Sequence, residues 1–230
     1  IQQMPISRTT LLAIALPLAS LCGKYSLPPM EKSVEDKSTG LNVPPGFEVD
    51  LVYKVDKKKY GSWIAMAFDG KGRLTVSDQG KAGTFSIEIP KQGEDFDESK
   101  IKKLNVKSSQ WGMLYAFDHL YMMGNRTFSR AKVLPNGDLG PTEFLCEMAG
   151  GGEHGPHSII VSPDGQNLYV IAGNYTKPPK FQKTRIRDNW KDDYLLQNYA
   201  YGHNGNGKAP GGWVMKVSPD GKEREILNMG

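Results

Sequence analysis

The stretch SIIVSPDGQNLYVIAGN, residues 158–174, decides the fold. Apolar residues run up to a Pro163-Asp164-Gly165 turn, and a second apolar run from Leu168 to Ala172 follows it, the pattern of a strand, a tight turn and a returning strand. Two earlier segments share the plan: WIAMAFDGKGRLTVSD at 63–78 and MLYAFDHLYMMGN at 113–125. Their anchor leucines, Leu74, Leu120 and Leu168, lie 46 and 48 residues apart, inside the roughly 40–50 residue period of propeller blades. Each hairpin is followed by a more polar pair of strands, at 83–89 with 101–106, 128–134 with 143–146, and 213–217 with 225–227. Asn136-Gly137 and Asp220-Gly221 supply hairpin turn chemistry in the second and third pairs.

Apolar inner hairpins with polar outer ones are what a radial blade demands, because inner strands pack between neighbouring sheets while the outer edge meets water. The expectation is an all-β chain, a β-propeller of four-stranded blades with about three blades present. The segment 47–55 (FEVDLVYKV) alternates with period two ahead of the first blade and would serve as the outer strand of the last one, closing the ring. Propellers take roughly 4–8 blades, so three blades read as half of a six-bladed ring, truncated at the C-terminus. Regular hairpins also build sandwiches and barrels, and that alternative stays open.

Outward from the repeat, composition is that of a globular protein: 38% hydrophobic, 23% charged and 10% aromatic, which excludes wholesale disorder and a multi-span membrane protein. With 26 Gly and 15 Pro set between short apolar runs, many turns and few long helices are expected. The net charge of +4 is spread along the chain without a basic stripe, so no nucleic-acid partner is expected. Two cysteines, Cys22 and Cys146, exclude a disulfide-dense scaffold, and Cys146 is expected as a buried thiol beside Phe144.

At the N-terminus, Arg8 precedes an apolar run of 11 residues at 11–21, followed by Cys22 and Gly23. Eleven residues are too few to cross ~30 Å of hydrocarbon, so 1–23 reads as a cleaved signal peptide, with a core helix as the alternative. The segment LASLCG at 18–23 is similar to a bacterial lipoprotein box, although Leu21 stands where a small residue is expected. Residues 24–45 are polar and proline-containing and read as a linker to a partial propeller domain at 46–230. The protein is therefore expected to be exported, periplasmic or extracellular, with membrane association through Cys22 left open.

Because adjacent blade strands are antiparallel, the loop before the first strand and the loop after the second open on one face. That face is expected to hold Trp63, Asp78 and Gln79 from the first blade, and Trp111, Asn125 and Arg126 from the second. The third blade contributes Glu153, His154, His157, Asn174 and Tyr175, together with the long segment 176–212. At 37 residues that segment far exceeds the usual ~4–6 residue connection and reads as a lid or as a flap over a neighbouring blade. It carries Arg185, Arg187 and His203 among aromatic residues, a mixture suited to a polyhydroxylated or planar ligand. In Glu153-His154-Gly155-Pro156-His157, His154 is a candidate general base that the neighbouring carboxylate could orient. A hydrogen-bonded structural histidine and a metal ligand are the alternatives for His154, and no third metal ligand is identifiable from spacing.

Pro45-Gly46-Phe47-Glu48-Val49, the Gly72-Arg73-Leu74 turn, Glu153 to His157 with Ser162-Pro163-Asp164-Gly165, and Ala209-Pro210-Gly211-Gly212-Trp213 resemble the large exported bacterial membrane-bound dehydrogenases. The likeness covers most of residues 44–230 and implies a glucose/sorbosone-dehydrogenase-like six-bladed propeller with c-type haem regions outside this chain. The related soluble quinoprotein sugar dehydrogenases use pyrroloquinoline quinone (PQQ), with a histidine that takes the substrate proton nine residues before the proline of a Pro-Asp turn. Nine residues before Pro163 stands His154. The chain departs from that motif at His157-Ser158-Ile159, where the family has Gly-Arg-Leu, and at Tyr175, where an amide side chain is expected. The family's cofactor-clamping Arg-Asn pair and calcium ligands would follow Gly230.

The resemblance thus implies oxidation of a sugar or other alcohol with PQQ, with electrons passed to a cytochrome domain. Two further readings stand beside it: a non-catalytic propeller that binds polysaccharide or protein, and a calcium-dependent lactonase-like hydrolase.

Overall fold

The computed structural model describes residues 34–36, 40–124, 126–150, 154–186 and 212–229. The chain divides into two units, one up to Asp50 and the other from Leu51 onward. In the first, β1 (Val34–Asp36) pairs antiparallel with β2 (Leu41–Val43), Val34 opposite Val43, so a short ladder lies within the stretch that reads as linker. The segment read as a signal peptide lies outside the described residues.

The second unit contains three sheets, each running outward in strand order. The first comprises β3 (Trp63–Phe68), β4 (Arg73–Asp78), β5 (Thr84–Glu88) and β6 (Lys102–Lys103), all antiparallel. The second comprises β7 (Gln110–Ala116), β8 (His119–Gly124), β9 (Thr127–Val133) and β10 (Leu139–Glu147). In the third, β11 (Pro156–Val161), β12 (Leu168–Ala172), β14 (Trp213–Val217) and β15 (Arg224–Met229) follow the same meander. The innermost strands are neighbours, β7 lying between β3 and β11. Antiparallel meanders whose first strands adjoin and whose faces stack are blades, and the described residues form three blades of a partial β-propeller.

Turn chemistry closes the hairpins. Phe117 and Asp118 both adopt positive φ (48° and 57°), the two-residue geometry that matches strand twist, and Gly137 and Gly221 take the same region at the outer turns. Between the second and third blades lies the larger core. Tyr121, Met123, Phe128, Cys146 and Met148 pack there against Ile159, Leu168, Val170, Trp213, Met215 and Ile226. Between the first and second, Ala67 packs with Met113, Leu120, Met122 and Ala131.

Polar clasps set the spacing of these faces. The Tyr115 and Thr75 hydroxyls bond at 2.8 Å between the first two blades, while Tyr121 and Arg130 both donate to the Pro219 carbonyl at 2.8 Å across the next interface. Arg224 returns the clasp by donating to the Leu145 carbonyl at 2.9 Å. Gly112 lets β7 approach β11 so closely that a Cβ there would collide with the His157 carbonyl.

Residues 47–55 form no ladder among the described residues, which do not include the last blade that this segment is expected to complete. Two expectations change. Blade three has a fifth strand, because β13 (Lys183–Thr184), inside the segment read as lid or flap, pairs parallel with the outer strand β15. Cys146 is buried but not beside Phe144: a bulge between the two places Cys146 opposite Phe128 in the core and leaves Phe144 exposed opposite Ser129. Burial pushes the Cys146 thiol up to about 11, against the opposing charge of Arg224.

Candidate functional site

The three inner hairpins share a defect at the same place. Register breaks between Trp63 and Ala65, between Gln110 and Gly112, and between Pro156 and Ser158 leave Ile64, Trp111 and His157 as the extra residue in each blade. Bulges twist a strand and re-aim side chains, and here they mark the end of each blade at which β3, β7 and β11 begin and β4, β8 and β12 finish. This is the mouth of the partial ring. Trp111 and His157 are half-buried at equivalent positions in adjacent blades. The hairpin pairing also aligns Asp78 with Gly124 and Ala172.

Asp78 does not offer a free carboxylate to the mouth. It is 3% exposed, accepts from the backbone N–H of Ser62 at 2.7 Å and of Ala82 at 2.8 Å, and so pins both chain segments that leave the first blade's mouth. Burial works against its ionisation, but the backbone donors of Ala82, Gly80, Ser62 and Gln79 outweigh it and hold the carboxyl below the usual carboxylate range. Gln79 is exposed, with its backbone bridging Ser62 and Ser109. Arg126, exposed and in the left-handed region at φ 64°, lies 3.4 Å from Glu147 and binds Met148 N–H through its carbonyl.

His154 is held by its backbone. Its carbonyl accepts the Tyr175 N–H at 3.0 Å, the neighbouring Gly155 carbonyl accepts the Gly173 N–H at 2.7 Å, and Gly173 has no Cβ because one would strike the His154 carbonyl. The imidazole and the Tyr175 phenol are in tilted contact, with ring centroids 4.9 Å apart and planes at 49°. His154 is half-buried and Tyr175 is 38% exposed, so the pair is both fixed and reachable. Asn174 lies one residue before Tyr175, also half-buried. The strand exit below is anchored in turn: Trp213 Nε1 donates to the Thr176 carbonyl at 2.6 Å, and Gly150 bridges to Thr176.

Arg185 is placed elsewhere. Its backbone bonds Ile226 and its guanidinium meets Glu225 at 2.9 Å, on the outer edge of blade three, because β13 carries this part of the segment away from the mouth. Asn125, Glu153, Arg187 and His203 lie outside the described residues. Among the described residues no group of three His, Cys, Asp or Glu side chains is placed to hold a metal ion. Sequence reasoning passed over Gln110 and Thr176, which are both buried with an unpartnered side-chain oxygen. No local pattern in the sequence marks either residue, because the bulge beside Gln110 is set by the pairing register.

Comparison with protein-family models and with curated proteins finds no match. Among solved structures, the chain is similar to the PQQ-bound form of aldose sugar dehydrogenase from Streptomyces coelicolor: 17% identity, TM-score 0.41, covering 70% of this chain and 45% of that one. It is also similar to an oxidoreductase (glucose dehydrogenase) from Thermus thermophilus: 19% identity, TM-score 0.36, covering 48% of this chain and 39% of that one. The chain spans less than half the length of either. At such distance the likeness adds nothing to the chemistry of the site, which rests on the residues themselves.

Proposed function

We propose that this chain is part of an exported propeller oxidoreductase that oxidises a sugar or other alcohol, with His154 taking the hydroxyl proton. The observation that carries this reading is the setting of His154: a backbone-locked imidazole in tilted contact with the Tyr175 ring at the mouth, in a motif whose spacing to Pro163 resembles that of the quinoprotein sugar dehydrogenases. A general base must be positioned first and basic second, and this one is positioned. In the reaction the hydroxyl proton goes to the imidazole while the hydride from the same carbon goes to a two-electron acceptor.

By resemblance that acceptor is PQQ, a planar tricarboxylate quinone. The described residues do not cradle it alone: they offer the Tyr175 ring and Arg126 on the mouth side, and no group of three His, Cys, Asp or Glu side chains among them is placed to hold calcium. Passage of electrons to a cytochrome domain, export to the periplasm or cell exterior, and a six-bladed ring belong to the same proposal. The ring is supported by apolar residues left exposed on the outer faces of the first and third blades, Met66 and Phe68 on one and Ile160 and Ile171 on the other.

The test is turnover of the protein carrying this chain with saturating quinone and an artificial electron acceptor. His154→Ala should lower turnover by roughly 10²–10⁴, the range for loss of a general base, with quinone binding and thermal unfolding nearly unchanged. His157→Ala should cost less, since its place is a strand bulge. Unchanged turnover in His154→Ala would remove the proposal.

A further inference from the structure

Past the ends of β11 and β12 the chain stays paired. The Gly173 N–H donates to the Gly155 carbonyl at 2.7 Å and the Tyr175 N–H to the His154 carbonyl at 3.0 Å. Further out, Gly150 bridges antiparallel to Thr176, and the Lys177 N–H donates to the Ala149 carbonyl at 2.7 Å. Two glycines permit this approach: a Cβ on Gly173 would strike the His154 carbonyl, and one on Gly150 would strike the Tyr175 carbonyl. Thr176, 2% exposed, is tied from another side by the buried Trp213 indole, which donates to its carbonyl at 2.6 Å. Tyr175 therefore stands on a fixed backbone as the cross-strand neighbour of His154, the relation in which side chains of a pair meet.

Those backbone bonds fix where the His154 side chain starts but not where its ring points. An imidazole turns about its χ1 and χ2 bonds, and a half-buried one at a mouth has room to do so. The Tyr175 ring occupies one side of that room, its centroid 4.9 Å from that of the imidazole and its plane tilted by 49°. The contact runs from ring to ring, so the hydroxyl is not what makes it. Misplacing a reacting group by about 1 Å can cost on the order of 10²-fold in rate, so a side chain that removes the wrong orientations acts on turnover without touching substrate. We infer that Tyr175 is a positioning residue for His154, its ring holding the imidazole in the orientation that receives the hydroxyl proton. The inference rests on the reading of His154 as the base.

The experiment uses the protein carrying this chain and has two readouts. One is kcat and KM at saturating quinone; the other is the rate at which diethyl pyrocarbonate modifies His154 in the absence of quinone, read by peptide mass. Tyr175→Ala should lower kcat roughly ten- to a hundredfold with KM nearly unchanged, and should speed the modification because one side of the imidazole is uncovered. Its melt should hardly move, since Tyr175 is 38% exposed and the local ties run through the backbone. Tyr175→Phe, which keeps the ring, should restore both readouts. In a His154→Ala background, Tyr175→Ala should cost nothing further, because a residue that acts through another adds nothing once that other is gone. A Tyr175→Phe variant that behaves like Tyr175→Ala overturns the inference and gives the role to the hydroxyl. A raised KM with kcat intact overturns it by assigning the ring to the substrate, and so does a modification rate that Tyr175→Ala leaves unchanged. Loss of turnover in His154→Ala with none in Tyr175→Ala sinks this inference alone, whereas unchanged turnover in His154→Ala sinks the reading of His154 and this inference with it.

Discussion

The Asp78 carboxylate joins the segment before β3 to the turn after β4 through the Ser62 and Ala82 N–H groups, so its charge belongs to the stability of the first blade. Gly61 is part of that arrangement, with φ at 75° and no room for a Cβ beside Asp78. A carboxyl whose folded value lies below its unfolded value of about 3.9 contributes stability that is fully present above that unfolded value and is lost as pH falls through the folded one. Asp78→Ala should cost about 2 kcal/mol or more at neutral pH, because buried donors lose an ionised acceptor. Denaturant melts at neutral pH and in acid check this: the gap between the two proteins should shrink in acid, and a gap independent of pH would show that the charge is not what matters. His154 is the opposite case, since its side chain meets the Tyr175 ring at the mouth while its backbone carries the local structure.

At the scale of the element, each blade is a meander that cannot bury its own faces, and neighbouring blades are joined by polar contacts at the margin of an apolar seam. Thr75, 1% exposed, has its hydroxyl paired with Tyr115, whose own burial, against the hydrogen bond from Thr75, raises the phenol above its ordinary value and keeps it neutral. Tyr115→Phe leaves Thr75 with an unmet hydroxyl and should cost about 1–3 kcal/mol. Adding Thr75→Val should recover most of that loss, since removing both partners of a buried pair is nearly neutral. A double-mutant cycle in thermal melts measures the coupling; additive losses would mean that the contact is not shared between the blades. The hairpins themselves were legible in the sequence, because period-two apolar patterning and turn residues act locally. The fifth strand of blade three was not, since Lys183 and Thr184 carry no apolar signal and pair only because the chain passes beside β15.

Across the whole second unit, burial is uneven. The faces that meet between blades exclude water, whereas the outer faces of the first and third blades leave Met66 and Phe68 at 68% and 54% exposure and Ile160 at 50%. Contiguous exposed apolar surface marks a contact site or an aggregation liability. The chain alone should bind an apolar-sensitive dye and self-associate with rising concentration, and Met66→Lys with Phe68→Lys should reduce both, as read by dye fluorescence and by light scattering. A monodisperse chain with no dye response would show that those faces are covered in some other way.

The sequence by itself determined the class of fold, the three hairpins and their spacing, because strand periodicity and turn chemistry are properties of neighbouring residues. It also singled out His154 and Tyr175, although as separate points on either side of a strand pair. Only the tertiary structure decided that these two rings meet, that Asp78 is spent on backbone donors, that Arg185 sits on the outer edge and that Gln110 keeps a buried, unmet oxygen. Those outcomes depend on which residues meet across strand pairs and blade interfaces, and a side chain's partner across such a gap is set by register, bulges and packing, which no local pattern of residues encodes.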